Sequence, residues 1–331
     1  MAGFCVLGFI GWLLVWFQKL PRLFPVLIVA LMGDLLWFDH GRSAQCDPAL
    51  YYPEIPALKE TVQAVPGRVI GVNCLPASLA MMQGLNDIRG YDAIDPARMV
   101  GLLKKTAVPG KEAIFAAVMF LLPRGDFSPP GGVRLSPILD MLNVRYGIFR
   151  GTPPEEIHPV FQSNDYWILV NSNALPRTFV PKSVEIVADD DEQLEKLASP
   201  EFDPLDVAYV ESPVELPALC RGAAEITNEI PTRVTVSVQM ETPGLIVLAD
   251  NWDKGWRAYL NGKPVPVLQV NYAIRGVVVP AGNGTLEFIY QPASLILGLW
   301  LAGFAAMVML CWPAAIAIQK MGTKARPLPG Q

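Results

Sequence analysis

Charge is what long parts of this sequence lack. Of 26 lysines and arginines, 21 lie between Arg42 and Arg275, and the other five are Lys19, Arg22, Lys320, Lys324 and Arg326. No Asp or Glu shares either terminal cluster. Histidine is nearly absent, with only His40 and His158. There is no His-Glu-x-x-His, no Gly-x-Ser-x-Gly and no phosphate-binding glycine loop. A hydrolytic triad on His158 therefore has nothing to recommend it, and a hydrolase on an anchor is the weakest reading. Five cysteines include no Cys-x-x-Cys spacing. Cys46, Cys74 and Cys220 allow one disulfide, and the sequence does not choose the pair. No repeat or low-complexity tract occurs, and neither a metal nor a cofactor is expected.

The uncharged stretches read as membrane spans. Leu295 to Ile318 holds 24 residues without a charge, and a helix of that length rises about 36 Å against a hydrocarbon core of roughly 30 Å. Met1 to Phe17 lacks the basic start and cleavage site of a signal peptide; it reads as a span, or as a reentrant or interfacial segment. Leu23 to Phe38 is short and carries Asp34. A carboxylate within a span suggests a polar pathway, whereas one at the outer helix end is merely solvated. Basic residues collect beside spans on the cytoplasmic side. Both basic clusters then lie inside, and residues 41–292 lie outside a bacterial cytoplasmic membrane. That arrangement, with the N-terminus outside, resembles the tail of a longer chain.

The chain of 331 residues, 52% hydrophobic, accommodates three spans and one or two domains. Residues 41–292 hold 21 basic against 29 acidic residues, so nucleic-acid binding is not expected. The lipid bilayer is the expected partner. Within 41–220, Tyr51 to Pro56 disfavours helix because of its prolines. Gly67 to Val72, Val144 to Phe149 and Trp167 to Val170 read as strands. Asp95 with Pro96 opens a helix to about Lys105; Ala113 to Leu122 and Leu135 to Leu142 read as further helices. Asp189-Asp190-Asp191-Glu192 reads as an acidic run opening a helix from Glu192 to Ala198, and a calcium site is the sharper alternative. Together these make a mixed α/β unit.

From Arg221 the pattern is strands only. Val234, Val236, Val238 and Met240 alternate with polar residues, as in a strand with one buried face. Leu245 to Ala249 is a second strand. Trp256 to Leu260 leads into Asn261-Gly262, a tight hairpin turn. Pro264 and Pro266 place the next strand at an edge. Ala273 to Val279 and Thr285 to Tyr290 are expected to pair across the intervening turn. The fold class expected is thus membrane-anchored α+β: transmembrane helices (1–40 and 293–319) flanking an extracytoplasmic mixed α/β unit (41–220) and a C-terminal antiparallel β-sandwich (221–292), with a cytoplasmic tail (320–331).

One dense polar and aromatic constellation stands out, Asp250-Asn251-Trp252-Asp253-Lys254-Gly255-Trp256-Arg257, with Asn271, Tyr272 and Arg275 nearby. An aromatic face covers the apolar side of a sugar ring while polar neighbours bond its hydroxyls. Trp252, Asp253, Trp256, Arg257, Asn271, Tyr272 and Arg275 are therefore candidate substrate-binding residues. The structural reading is that Trp256 is core, since it alternates with Ala258 and Leu260, that Trp252 packs at a turn and that Arg257 is solvated.

Gly244 to Lys263, which contains that constellation, resembles the C-terminal end of bacterial YfhO-type membrane proteins. So do Asn271-Tyr272-Ala273-Ile274-Arg275-Gly276 with its continuation to Gly282, and Phe288-Ile289-Tyr290-Gln291-Pro292. Earlier echoes, in order, are Asp34-Leu35, Tyr52-Pro53, Asp87-Ile88-Arg89-Gly90-Tyr91-Asp92, Leu139-Asp140-Met141-Leu142-Asn143-Val144-Arg145-Tyr146 and Ala174-Leu175-Pro176-Arg177. The resemblance implies a large protein similar to GT-C glycosyltransferases, which take a polyprenyl-phosphate-linked sugar and glycosylate envelope polymers outside the membrane. Their catalytic acid lies near the N-terminus of the full protein. Residues 1–331 resemble only the final part, so the catalytic residues are unknown here, and Asp34, Asp39 and Asp92 are not assigned that role. The chain by itself is not expected to transfer sugar. A membrane-anchored, non-catalytic carbohydrate-binding or scaffolding protein is the alternative.

Overall fold

The computed structural model describes residues 10–14, 16, 23–40, 47, 55–56, 58, 65–90, 95–110, 121–127 and 133–324. Most of Met1 to Phe17, of Tyr51 to Pro56 and of the expected helix Ala113 to Leu122 lies outside these residues, as do Cys46 and Asp92. The chain divides into two compact units, Met1–Glu54 and Ile55–Gln331.

In the first unit, Leu23–Asp39 is a helix of 17 residues. It rises about 26 Å, short of a roughly 30 Å core, and it carries Asp34 and Asp39. In the second unit the last helix is Ala293–Lys324, whose side chains are described continuously over 293–309. Among the described residues no helix is long and apolar enough to cross a membrane. The expected class of transmembrane helices flanking two outer domains is thereby corrected. The described chain is mostly β, built on several sheets.

Three of those sheets form the body. The first runs Arg68–Val72, Val144–Arg150, Tyr166–Val170, Phe161–Gln162, with its first pair parallel. The central sheet runs Thr178–Phe179, Gly244–Asn251, Ile274–Val279, Leu268–Val270, Val207–Val210, Ser183–Ile186. The outer sheet runs Gly222–Ile230, Arg233–Met240, Gly282–Tyr290, Trp256–Leu260, Lys263–Val265. The central sheet takes strands from both sides of residue 220.

Strand Gly244–Asn251 explains the layering. Leu245, Val247 and Ala249 join a core with Leu139, Leu142 and Trp167. Ile246 and Leu248 join a second core with Val236, Leu286 and Phe288. A strand apolar on both faces must be covered on both faces, and this one is buried from Gly244 to Ala249. Strand Arg233–Met240 alternates as expected, with Val234, Val236, Val238 and Met240 inside. Asn261 and Gly262 have φ of 50° and 78°, the backbone of a hairpin turn with both central residues left-handed. Lys263–Val265 is an edge strand, where proline costs no ladder bond.

The expected pairing of Ala273–Val279 with Thr285–Tyr290 does not form. Ile274–Val279 belongs to the central sheet and Gly282–Tyr290 to the outer one. Val277 and Val279 meet Leu286 and Phe288 across the sandwich core, so the chain changes sheets at Pro280 and Ala281. Two helix starts also differ from expectation or sharpen it. Helix Ala97–Lys104 has Pro96, not Asp95, at its N-cap. Helix Asp190–Ala198 is capped by the Asp189 carboxylate, which accepts from Glu192 N–H at 2.8 Å. The acidic run is thus a helix start, where the exposed N–H groups and the dipole favour acids.

Two of the quoted motifs are internal fasteners. Arg89 is 5% exposed, pairs with Asp87 at 2.8 Å and donates to the carbonyls of Gly71 and Leu75. It ties down the loop after the first strand, where a Cβ on Gly71 would sit 2.3 Å from the Cys74 carbonyl. In the second motif, Asp140 accepts from Asn171 Nδ2 at 2.6 Å, and its carbonyl accepts from Leu175 N–H at 2.9 Å. Asn143 takes a left-handed φ of 62° and donates to the Leu175 carbonyl at 2.6 Å. Cys74 and Cys220 are free thiols.

Burial pushes the Asp140 carboxyl up to about 6, against the opposing bond from Asn171. Its folded pKa is raised, so the folded state binds more protons than the unfolded one between pH 4 and 6. Stability should be greatest below that window and fall as pH rises through it, by on the order of 1–2 kcal/mol after solvent screening. Denaturant midpoints of the full chain across pH 4–7.5 check this. Asp140→Asn, which keeps an acceptor for Asn171, should flatten the slope.

Candidate functional site

Asp250 closes strand Gly244–Asn251, at a shift of register between Leu248 and Asn251 opposite Ile274–Val279. Such a bulge re-aims a side chain, and Asp250 meets three guanidiniums. Arg68 Nη2 donates to it at 2.5 Å, Arg177 Nη2 at 2.8 Å and Arg275 Nη2 at 2.9 Å. Arg177 Nη1 also donates to Glu229 at 2.6 Å, and Arg68 donates to the carbonyls of Leu142 and Ala249. The Asp250 side chain is 13% exposed. Burial alone would raise its pKa; Arg68, Arg177 and Arg275 overcome this and hold it at about 2. Burial brings Arg275 down to about 10 despite Asp250. Burial opposes the charge of Arg177 too, but Glu229 and Asp250 outweigh it and raise that group.

Arg275 is the link to the aromatics. Its guanidinium lies 3.7 Å from the centroid of the Trp256 ring, a cation–π contact within a desolvated setting. Trp256 also meets Tyr290, with ring centroids 5.1 Å apart. Asp253 shapes the turn before Trp256: its Oδ1 accepts from Gly255 N–H at 2.7 Å and its carbonyl accepts from Trp256 N–H at 3.1 Å. Gly255 has no room for a side chain, since a Cβ would lie 2.7 Å from Tyr290 and 2.8 Å from Asp253.

A cleft of about 530 Å³ opens here, with Asp250, Asn251, Asp253, Trp256, Arg275 and Tyr290 on its wall. Of the seven candidate binding residues it gathers Asp253, Trp256 and Arg275. Trp252 is half-buried beside it, its N–H donating to the Ala273 carbonyl at 2.8 Å. Arg257 is exposed on the outer sheet. Asn271 is fully buried and supports backbone: its Oδ1 accepts from Tyr209 N–H at 2.8 Å. Tyr272 lies under the Arg98 guanidinium, 5.0 Å from its ring centroid. Asp34 is exposed on its helix, and His158 is exposed on a loop. Arg68, Arg177 and Glu229 were not legible as site residues, because each reaches Asp250 or its partner across 52 or more positions. A second cleft of about 830 Å³ shares Arg68, Arg177 and Glu229 with the first. Among the described residues no cluster of His, Cys, Asp and Glu suits a metal ion.

Asp250→Ala would leave three guanidiniums facing one another in a largely buried site. Breaking such a cluster costs about 3–5 kcal/mol, read as a lowered denaturation midpoint of the full chain. The folded pKa of Asp250 is depressed, so its stabilisation is complete above pH 4 and is lost only as pH falls toward 2.

Residues 221–302 match the family model described as bacterial membrane protein YfhO. No curated protein and no solved structure matches the chain. The matched residues include Asp250, Trp256 and Arg275, while Arg68 and Arg177 precede them. That similarity spans residues 221–302 of the 331 and is to a family described as a bacterial membrane protein.

Proposed function

We propose that this chain is the C-terminal portion of a GT-C-like membrane glycosyltransferase, and that its sheets hold the acceptor or glycan outside the cytoplasmic membrane. The observation that carries the reading is the cleft that brings Trp256, Asp253, Asn251 and Arg275 together. An indole with carboxylate, amide and guanidinium neighbours suits a sugar ring and its hydroxyls. The donor in this reading is a polyprenyl-phosphate-linked sugar, used by a catalytic acid elsewhere in the enzyme.

The acids of the cleft support holding rather than cleaving. Asp250 is bound by three arginines, Glu229 by Arg177, and Asp253 by Gly255 N–H. Each already accepts at least one hydrogen bond from the protein. The same observation favours the second reading, a non-catalytic carbohydrate-binding or scaffolding protein of the envelope.

Two measurements test this. In membranes holding this chain joined to the N-terminal membrane core that the reading implies, lipid-linked sugar should be transferred to an envelope acceptor. Asn251→Ala and Trp256→Phe should raise KM for that acceptor about five- to tenfold with kcat nearly unchanged, as for lost uniform binding. Glycan retention by the wild type that is weakened in the two variants, without any transfer, would favour the second reading. Neither transfer nor retention would sink both.

A further inference from the structure

A third cleft, of about 640 Å³, shares no residue with the two around Asp250. It lies where the short ribbon Gly125–Asp126 and Arg134–Leu135 meets helix Pro137–Met141. The register pairs Gly125 with Leu135 and Asp126 with Arg134. Continued by one residue, it sets Arg124 opposite Ser136. Arg124 is fixed from behind, its N–H donating to the Thr106 carbonyl at 2.7 Å. The ribbon is tight, since a Cβ on Gly125 would meet the Arg134 carbonyl at 2.9 Å.

Two features of this cleft are unspent. Arg124 and Arg134 both line it and form no ion pair among the described residues. Ser136 also lines it, and its Oγ is buried with no hydrogen-bond partner among the described residues. A buried hydroxyl without a partner costs free energy, and a ligand atom would remove that cost. The third cation, Lys105, is held by Glu195 at 2.6 Å. The acids on the wall are Asp126 and Asp140. From the helix Asp190–Ala198 only Leu197 and Ala198 reach the wall.

We infer that this cleft is a binding site for a small oxyanion-bearing ligand, a phosphate ester or a carboxylate. Arg124 and Arg134 clamp the anion, and Ser136 donates the hydrogen bond that it makes to nothing else. Planar guanidinium forks suit both oxyanions. Asp140 sets the pH dependence. Burial keeps its carboxyl protonated up to about 6; neutral, it does not repel the ligand, and ionised, it does. The other charged groups on the wall are Lys105, Arg124, Asp126 and Arg134.

This site is independent of the glycan reading, and its test does not use transfer. Sulfate is titrated calorimetrically into the full chain in neutral detergent at pH 5.0 and 7.5, because its own charge is constant there. Glucose 6-phosphate and glucuronate then separate phosphate from carboxylate. The double variant Arg124→Gln, Arg134→Gln should weaken the preferred probe at least about tenfold, or 1.4 kcal/mol. Both side chains are exposed, so the fold should be unaffected. Wild type should bind more weakly at pH 7.5 than at 5.0, and Asp140→Asn should restore the tighter binding at pH 7.5. If none of the three probes binds wild type more tightly than the double variant, the inference is overturned.

Discussion

One carboxylate holds the second unit in register. Asp250 sits at the end of the central strand and draws in Arg68 from the first sheet, Arg177 from the segment before the outer sheet and Arg275 from the neighbouring strand. Three positive groups would repel one another in a poorly solvated space, and the single anion makes their assembly favourable. Arg177 then extends the network to Glu229 at the sheet edge. The charge cluster is therefore a junction between layers, its ions hydrogen-bonded at 2.5–2.9 Å beside the close-packed apolar cores.

That junction also shapes the cleft chemistry. Arg275, held by Asp250, is the group that lies on Trp256. The indole is thereby set by an ion pair rather than by apolar packing alone. A sugar entering the cleft would meet a wall whose charges already satisfy one another, which favours recognition of hydroxyls over net charge.

The sequence made the local features legible and left the long-range ones hidden. Val234 to Met240 alternates because only one face of that strand meets the core, and Asn261-Gly262 turns because both residues tolerate positive φ. Gly244 to Ala249 is apolar throughout because both faces are covered, and that run alone does not say by what. The two strands after residue 272 were expected to pair because they are adjacent in sequence. Their inward side chains face each other across the sandwich instead, which no period-two pattern distinguishes. Asn271 drew attention as a polar residue beside aromatics; its partner is a backbone N–H 62 positions away. Arg68 and Arg177 looked like ordinary charged residues, since nothing nearby in sequence announces Asp250. The expected membrane class rested on apolar length, and among the described residues that length is not reached.

The join between the outer sheet and the last helix is short and stiff. Strand Gly282–Tyr290 ends two residues before the helix Ala293–Lys324. Gln291 N–H donates to the Gly255 carbonyl at 2.7 Å, and the space beside Gly255 is filled by Tyr290 and Pro292. Tyr290 stands on the cleft wall, and Gly255 is clasped by Asp253. The last helix therefore begins three residues after Tyr290, a residue of the cleft wall, and the link before it is tied to the turn that shapes that wall.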